Sequence, residues 1–191
     1  MKRTHDRFIE NYEKIQIPAD NKKGYRIKLR YKGLWYSWEL PEKDKKSRNI
    51  RYLLMEAVSI AAFITAALMP VGLNTGRVAA AISVLSLIPW ILELWGVFRF
   101  ATARTPMMVS DFEEIRKGIR YGCPVRAALI AAALVTGIIE LIVTGKFTAA
   151  NLISVFLFLL SAAASYLIYR DYMTIRYSLR KSEDGKPGGK A

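Results

Sequence analysis

Four ionisable residues stand inside or at the ends of long apolar stretches of the sequence, where a charge is expensive to hold. They are Glu56, Glu93, Arg126 and Glu140. At the centre of a membrane helix such a charge costs about 2.5 to 3.5 kcal/mol on insertion scales. Each of the four is therefore a candidate functional residue, and proton or cation coupling is the chemistry that such residues commonly perform.

Glu56, Glu93 and Arg126 are expected at similar depth. Glu56 and Arg126 lie near the beginning of two apolar stretches that leave the cytoplasm, and Glu93 lies about one and a half turns before the cytoplasmic end of another. We predict that the three form a cluster in the inner leaflet. If Arg126 neutralises one acid, the cluster keeps one negative charge or one bound proton, which fits ion coupling. Structural pairing of Glu93 with Arg126 is the alternative.

Pro89 and Glu140 are two further candidates. Pro89 lies four residues before Glu93 and leaves the carbonyl of Leu85 without its helical donor, so a kink is expected there. Glu140 is expected near the outer surface, within reach of Lys146 and Arg77. Interfacial snorkelling explains an acid at that position without any site chemistry.

Motifs of soluble catalytic and metal sites are missing from the sequence. It has no G-x-S-x-G, H-E-x-x-H or P-loop pattern. Cys123 is the sole cysteine and His5 the sole histidine, which argues against a zinc site and a cysteine protease. We expect no cofactor and no bound metal, and an enzyme is the less favoured class. The net charge of +13 fits basic residues at a membrane surface, so no nucleic-acid partner is expected.

The elements that must position these residues are four membrane helices. The stretch from Val78 to Phe98 has 21 residues and one charge. At about 1.5 Å per residue it matches a hydrocarbon core of about 30 Å. Uncharged runs elsewhere predict three more spans, so the fold class is an all-α membrane protein with spans at about 51–69, 78–98, 124–143 and 149–170.

Lysine and arginine counts orient these spans. Fourteen basic residues precede Ile50, five lie between Arg99 and Cys123, and six follow Tyr169, whereas the other two loops hold only Arg77 and Lys146. The positive-inside rule then places both termini and the connector in the cytoplasm. We expect the plasma membrane of a bacterium, with anionic headgroups at the cytoplasmic face as a partner.

Shorter elements surround the spans. A short helix from Thr4, ended by Pro18, and a β-hairpin over about 24–40 with its turn at Lys32-Gly33 form a cytoplasmic cap over 1–49, together with a basic linker. The proposed register pairs Ile27 with Trp38 and Leu29 with Tyr36. An interfacial helix is predicted over about 110–121, ahead of the third span. Residues 180–191 are predicted to be a disordered tail after the membrane domain 50–179.

An internal repeat is visible at an offset of 69 residues. Ile50-Arg51-Tyr52 recurs as Ile119-Arg120-Tyr121, and Thr75-Gly76-Arg77 recurs as Thr144-Gly145-Lys146. Both matches fall at equivalent points of two helical hairpins that enter from the same side. The pattern predicts two parallel repeats, although chance similarity between apolar hairpins gives the same two tripeptides.

Two functions remain open on the sequence. One is a small transporter, or membrane subunit of a transport complex, that uses Glu56, Glu93 and Arg126. The other is a non-catalytic accessory or regulatory membrane protein that acts through protein contacts. Transport through four spans favours a homodimer or larger complex, with small residues for close helix contact at Ala61, Ala62, Ala162, Ala163 and Ala164.

Overall fold

The computed structural model describes residues 11–18, 24–145 and 147–181, and most of them are helical. The helices are α1 (Glu42–Leu68), α2 (Gly72–Thr75), α3 (Arg77–Leu85), α4 (Leu87–Thr102), α5 (Val109–Lys117), α6 (Cys123–Thr144) and α7 (Ala149–Tyr172). A π-helical turn over Gly118–Gly122 joins α5 to α6. The strands are β1 (Tyr12–Pro18), β2 (Tyr25–Tyr31), β3 (Leu34–Trp38), β4 (Met107–Met108) and β5 (Tyr177–Lys181).

Four helical segments are long and apolar enough to cross a membrane, as the sequence predicted. They are Glu42–Leu68, Arg77–Thr102, Val109–Thr144 and Ala149–Tyr172. The first segment begins nine residues before the predicted boundary at 51, because the basic linker 42–49 is itself helical. Its charged residues extend the helix beyond its apolar part.

A helix is present where the interfacial helix was predicted, over about 110–121, but it is continuous with the third predicted span. Helix α5 continues without a break through the π-helical turn into α6, and the whole segment has 36 residues. At about 1.5 Å per residue such a helix is longer than the hydrocarbon core. Pro124 explains the wide turn before it, because proline has no N–H to donate and its ring crowds the carbonyl four residues earlier.

The membrane-length helices pack around an apolar core. Phe63 of α1 meets Phe158 of α7 edge to face, with ring centroids 5.6 Å apart. Ile130 and Leu134 of α6 belong to the same buried cluster. At the other end of α1, Tyr52 is fully buried and donates to Asp171 at 2.7 Å. These contacts hold α1, α6 and α7 together within one compact unit, which comprises 40–103 and 113–175.

The structure has a β-hairpin near the N-terminus, but it joins β1 to β2, whereas the predicted hairpin joined β2 to β3. Strand β2 pairs with β1 in a two-stranded antiparallel sheet, and β3 belongs to another sheet. Ile27 therefore lies opposite Gln16, and Trp38 lies opposite Tyr177, instead of facing each other. Residues 12–18, predicted to end a short helix, are the first strand of the hairpin. The beginning of that predicted helix lies outside the described residues.

Backbone geometry explains why Lys32-Gly33 does not close a hairpin. Two-residue hairpin turns require a positive φ at one or both central residues. Within the described ranges, positive φ occurs only at Gly24 and Gly145. The ring of Tyr31 instead occupies the space where Gly33 lacks a Cβ atom, and its hydroxyl donates to the carbonyl of Leu34 at 3.0 Å. Lys32 and Gly33 therefore connect strands of two different sheets instead of closing a hairpin.

A three-stranded sheet in the order β4-β3-β5 gathers three distant parts of the sequence. Aromatic side chains fill one face of it: Tyr36 stacks on Phe112 at 3.9 Å, and Tyr177 packs against both Phe112 and Trp38. Residues 180 and 181 are part of β5, so the start of the predicted disordered tail is wrong. The remainder, 182–191, lies outside the described residues.

Charge pairs fasten β1 to β2. Glu13 accepts from Arg30 at 2.9 Å and lies 3.0 Å from the ammonium of Lys32. Hydrogen bonds from these two cations hold the pKa of the Glu13 carboxyl below its ordinary value of 4.5. In the same two-stranded sheet, burial raises the pKa of the Tyr31 hydroxyl above its ordinary value.

Candidate functional site

Arg126 and Glu93 form a buried ion pair. Nη1 of Arg126 lies 3.3 Å from Oε2 of Glu93, and the two residues are 1% and 0% exposed. The same guanidinium donates to Ser165 and Ser161 of α7, each at 3.2 Å. A buried charge is tolerated when it is paired and hydrogen-bonded, and both conditions hold here. The pair joins α4, α6 and α7.

Glu56 of α1 is the second acid of the cluster and is 2% exposed. Its Oε1 accepts from the indole N–H of Trp90 at 2.9 Å. Its carboxyl lies close enough to the Glu93 carboxyl for the two to interact electrostatically. Within the described part of the chain, Oε2 of Glu56 and Oε1 of Glu93 have no hydrogen-bond donor. Two carboxyl groups thus share one neighbouring guanidinium.

Aromatic rings surround the guanidinium. Its central carbon lies 5.6 Å from the ring centroid of Trp90 and 5.9 Å from that of Phe63. Both distances are within the range of a cation–π contact, which is stronger when the cation is removed from water. Arg126 therefore meets side chains from α1, α4 and α7 at once.

Three glycines allow the helices to approach closely enough for these contacts. A Cβ atom on Gly96 would lie 2.7 Å from the Cα atom of Gly118, and one on Gly122 would lie 2.8 Å from the backbone nitrogen of Glu93. Real Cβ atoms do not come so near to backbone atoms, so only glycine fits at this crossing. Arg126 lies one helical turn after Gly122, which directs it to Glu93.

Sequence reasoning missed this crossing and the serines that bind Arg126. Gly118 and Gly122 form a G-x-x-x-G pattern, which was a readable signal for close helix packing. Ser161 and Ser165 are four residues apart on one face of α7, and Ser59 of α1 also contacts Ser161 at 3.0 Å. Serines at helical spacing within an apolar run were the available signal, because such hydroxyls need partners.

Pro89 and Glu140 occupy separate positions. The second membrane-length segment is interrupted at Ser86, three residues before Pro89, so it consists of α3 and α4. Glu140 lies 14 residues after Arg126 on α6, about 21 Å along the helix. Its carboxyl lies against Gly76. The structure does not bring Glu140 into the cluster, and Lys146, its predicted neighbour, lies outside the described residues.

Cys123 is buried beside the cluster, with its thiol next to the Glu93 carboxyl. Together these residues define an apolar helical bundle with a charged centre. Searches of protein families, curated proteins and solved structures find no match for this chain. The function therefore has to be inferred from the site itself.

Proposed function

We propose that this chain is an integral membrane protein that acts through non-catalytic protein contacts, and that its charged cluster holds the bundle together. The observation that carries the proposal is an apolar face on β2, outside the four membrane-length segments. Ile27 and Leu29 are 56% and 50% exposed. They lie on the same face of the strand because residues two apart point to the same side. Apolar side chains that remain exposed together on one strand support a surface that another protein covers.

The geometry of the cluster supports a structural role for it. Glu93 is fully buried and paired with Arg126, which is the arrangement expected of an accessory protein rather than of a water-reachable transport site. Hydrogen bonds from Arg126 to two serines on α7 add a second reason to regard the group as a clamp between helices.

The experiment compares β2 variants in membranes. A photoreactive residue at position 27 should cross-link to the same protein in repeated preparations, and Ile27→Asp with Leu29→Asp should abolish that complex. Lys28→Asp is a control on the opposite face of the same strand. The proposal fails if the complex survives the double substitution while hydrogen exchange shows that the hairpin remains folded.

Transport is the second candidate, and the charge balance of the cluster favours it. Glu56 and Glu93 bring two carboxyl groups to one guanidinium, so the cluster holds one negative charge or one proton. Proteoliposomes containing the purified chain separate the two functions. Proton- or cation-dependent flux that Glu93→Gln abolishes without loss of thermal stability establishes transport. Absence of flux together with a lower unfolding temperature for Glu93→Gln supports the structural role.

The parallel repeat and the orientation with both termini in the cytoplasm are part of this proposal. The repeat rests on the two matched tripeptides. The repeated tyrosines have different surroundings, since Tyr52 is buried and Tyr121 is 55% exposed. A duplication of the two helical hairpins does not require that matched side chains perform the same task.

A further inference from the structure

A groove of about 480 Å³ runs between α1 and α7 on the outer side of the bundle. Apolar side chains line most of its length: Ile50, Leu54 and Val58 from α1, and Leu160, Ala163 and Leu167 from α7. The groove forms because alanines occupy the α7 side, where larger residues would fill it. Its volume is within the range of about 300 to 1,000 Å³ that is usual for sites of small ligands.

One end of the groove is polar and positively charged. Ser47 and Arg51 line it there. The side chain of Arg51 is 47% exposed, although it contacts Asp171 at 2.6 Å. Arg48 shares the same carboxylate at 3.3 Å, so two guanidinium groups meet one acid and a positive charge remains. Lys43 and Asp44, four and three residues before Ser47, lie on the same face of α1, and their opposite charges offset each other. This end attracts an anion.

The length of the groove and the positive charge at one end match an amphiphile that has a long apolar chain and an anionic head. From Ser47 to Val58 the helix rises about 16 Å, close to half of a hydrocarbon core of about 30 Å. We propose that the groove binds an anionic glycerophospholipid, with an acyl chain along Leu54 and Val58 and the phosphate at Arg51 and Ser47. The proposal rests on the membrane location that we propose, and is independent of the accessory role.

A second copy of this chain fits the groove less well. In a twofold dimer the same surface faces itself, so the two copies would bring Arg51 together at the same depth. Like charges facing each other oppose association. A lipid phosphate instead supplies the charge that this end of the groove attracts, and its acyl chain covers the apolar part.

Lipid binding can be measured on the purified full chain in detergent micelles. Phosphatidylglycerol should raise the unfolding temperature more than phosphatidylcholine with the same acyl chains, and inorganic phosphate alone should have no such effect. The dependence of the unfolding temperature on lipid concentration gives an apparent affinity for each lipid. Arg51→Gln should lower the ratio of the phosphatidylglycerol affinity to the phosphatidylcholine affinity roughly fivefold, since one basic residue near a lipid surface contributes about that factor. Because each variant is compared with itself in two lipids, a change in its basal stability cancels.

Ala163→Leu should narrow the groove between Leu160 and Leu167 and weaken the binding of both lipids. Ala132→Leu, at another exposed alanine on α6, is the matched control and should bind lipid as the unmodified chain does. The proposal is overturned if Ala163→Leu retains full phosphatidylglycerol binding, if inorganic phosphate gives the whole effect, or if cross-linking places a second copy in the groove. Extraction of the chain from membranes by alkaline carbonate would instead show that the membrane location itself is wrong.

Discussion

At the scale of single residues, Arg126 is the side chain that connects its own helix to three others. It binds one carboxylate and two serine hydroxyls and lies beside two aromatic rings. Removing one partner of a buried ion pair leaves the other charge uncompensated, whereas removing both can be nearly neutral. Single substitutions of the pair should therefore lower the free energy of unfolding more than the double substitution does.

Arg126→Ala is expected to destabilise the bundle by about 3 to 5 kcal/mol, because it leaves the Glu93 carboxylate buried without its cation. Adding Glu93→Gln should recover a large part of that loss, since the amide carries no charge. Denaturant unfolding in micelles measures both. Arg77→Ala, at an exposed position, is the control. Additive losses in the double variant would show that the two residues do not stabilise each other.

Glu13 predicts a pH dependence for the β1–β2 hairpin. Its pKa is lowered by hydrogen bonds from Arg30 and Lys32, so the pairing stabilises the hairpin in full above the ordinary value of 4.5 and is lost as the pH falls through the lowered pKa. Amide protection across the hairpin should decrease on acidification. Glu13→Gln should be less protected at neutral pH and should change less with acid. Equal pH profiles for the two proteins would contradict the assignment.

At the scale of elements, the crossing of α4 with the π-helical turn decides how the bundle closes. Gly96 and Gly118 bring the two backbones into contact, and Gly122 extends that contact to Glu93. Small residues permit this approach in membrane-type bundles, where packing between helices replaces the hydrophobic effect as the source of stability.

Gly118→Ala should therefore force α4 away from the π-helical turn. We expect a loss of about 1 to 3 kcal/mol, which is the usual cost of overpacking. Thermal unfolding in micelles checks it. Tyr121→Ala is a control in the same turn, since Tyr121 is exposed and leaves the crossing untouched. If Gly118→Ala is as stable as the unmodified chain, the crossing is looser than the structure indicates.

At the scale of the whole molecule, the chain divides into two compact units. One contains the membrane-length helices and the charged cluster. The other is built from three separated parts of the sequence, which meet in the β4-β3-β5 sheet. Because β4 lies in the connector and β5 follows α7, this second unit is complete only after nearly the whole chain has been made.

The proposed orientation can be tested with single cysteines. Cys123 is fully buried, so it is unsuitable as a label and should be replaced by alanine first. In that background we expect Thr144→Cys to react with an impermeant maleimide on intact cells, and Thr102→Cys to react only after permeabilisation. Both positions are exposed and each is the last residue of its helix, and the proposed topology puts these two helix ends on opposite sides of the membrane. The reverse pattern would invert the topology.

Several features could be predicted from the sequence because they depend on local composition. Apolar length alone predicts four membrane-length helices, and a charge inside such a run stands out wherever its partner is. Glu56, Glu93 and Arg126 were found in this way. The strand character of β2 and β3 was also foreseen, since alternation of apolar and polar residues predicts strands.

Other features depended on contacts between distant residues, so only the tertiary structure decided them. Alternation predicts that β2 and β3 are strands but not which strands they pair with, and β3 pairs with β5 about 140 residues later. In the same way, the sequence placed Glu93 and Arg126 at one depth, but the glycine crossing and the serines of α7 determine that the two side chains meet. Depth follows from composition along one helix, whereas contact requires the rotation and spacing of several helices, which packing alone sets.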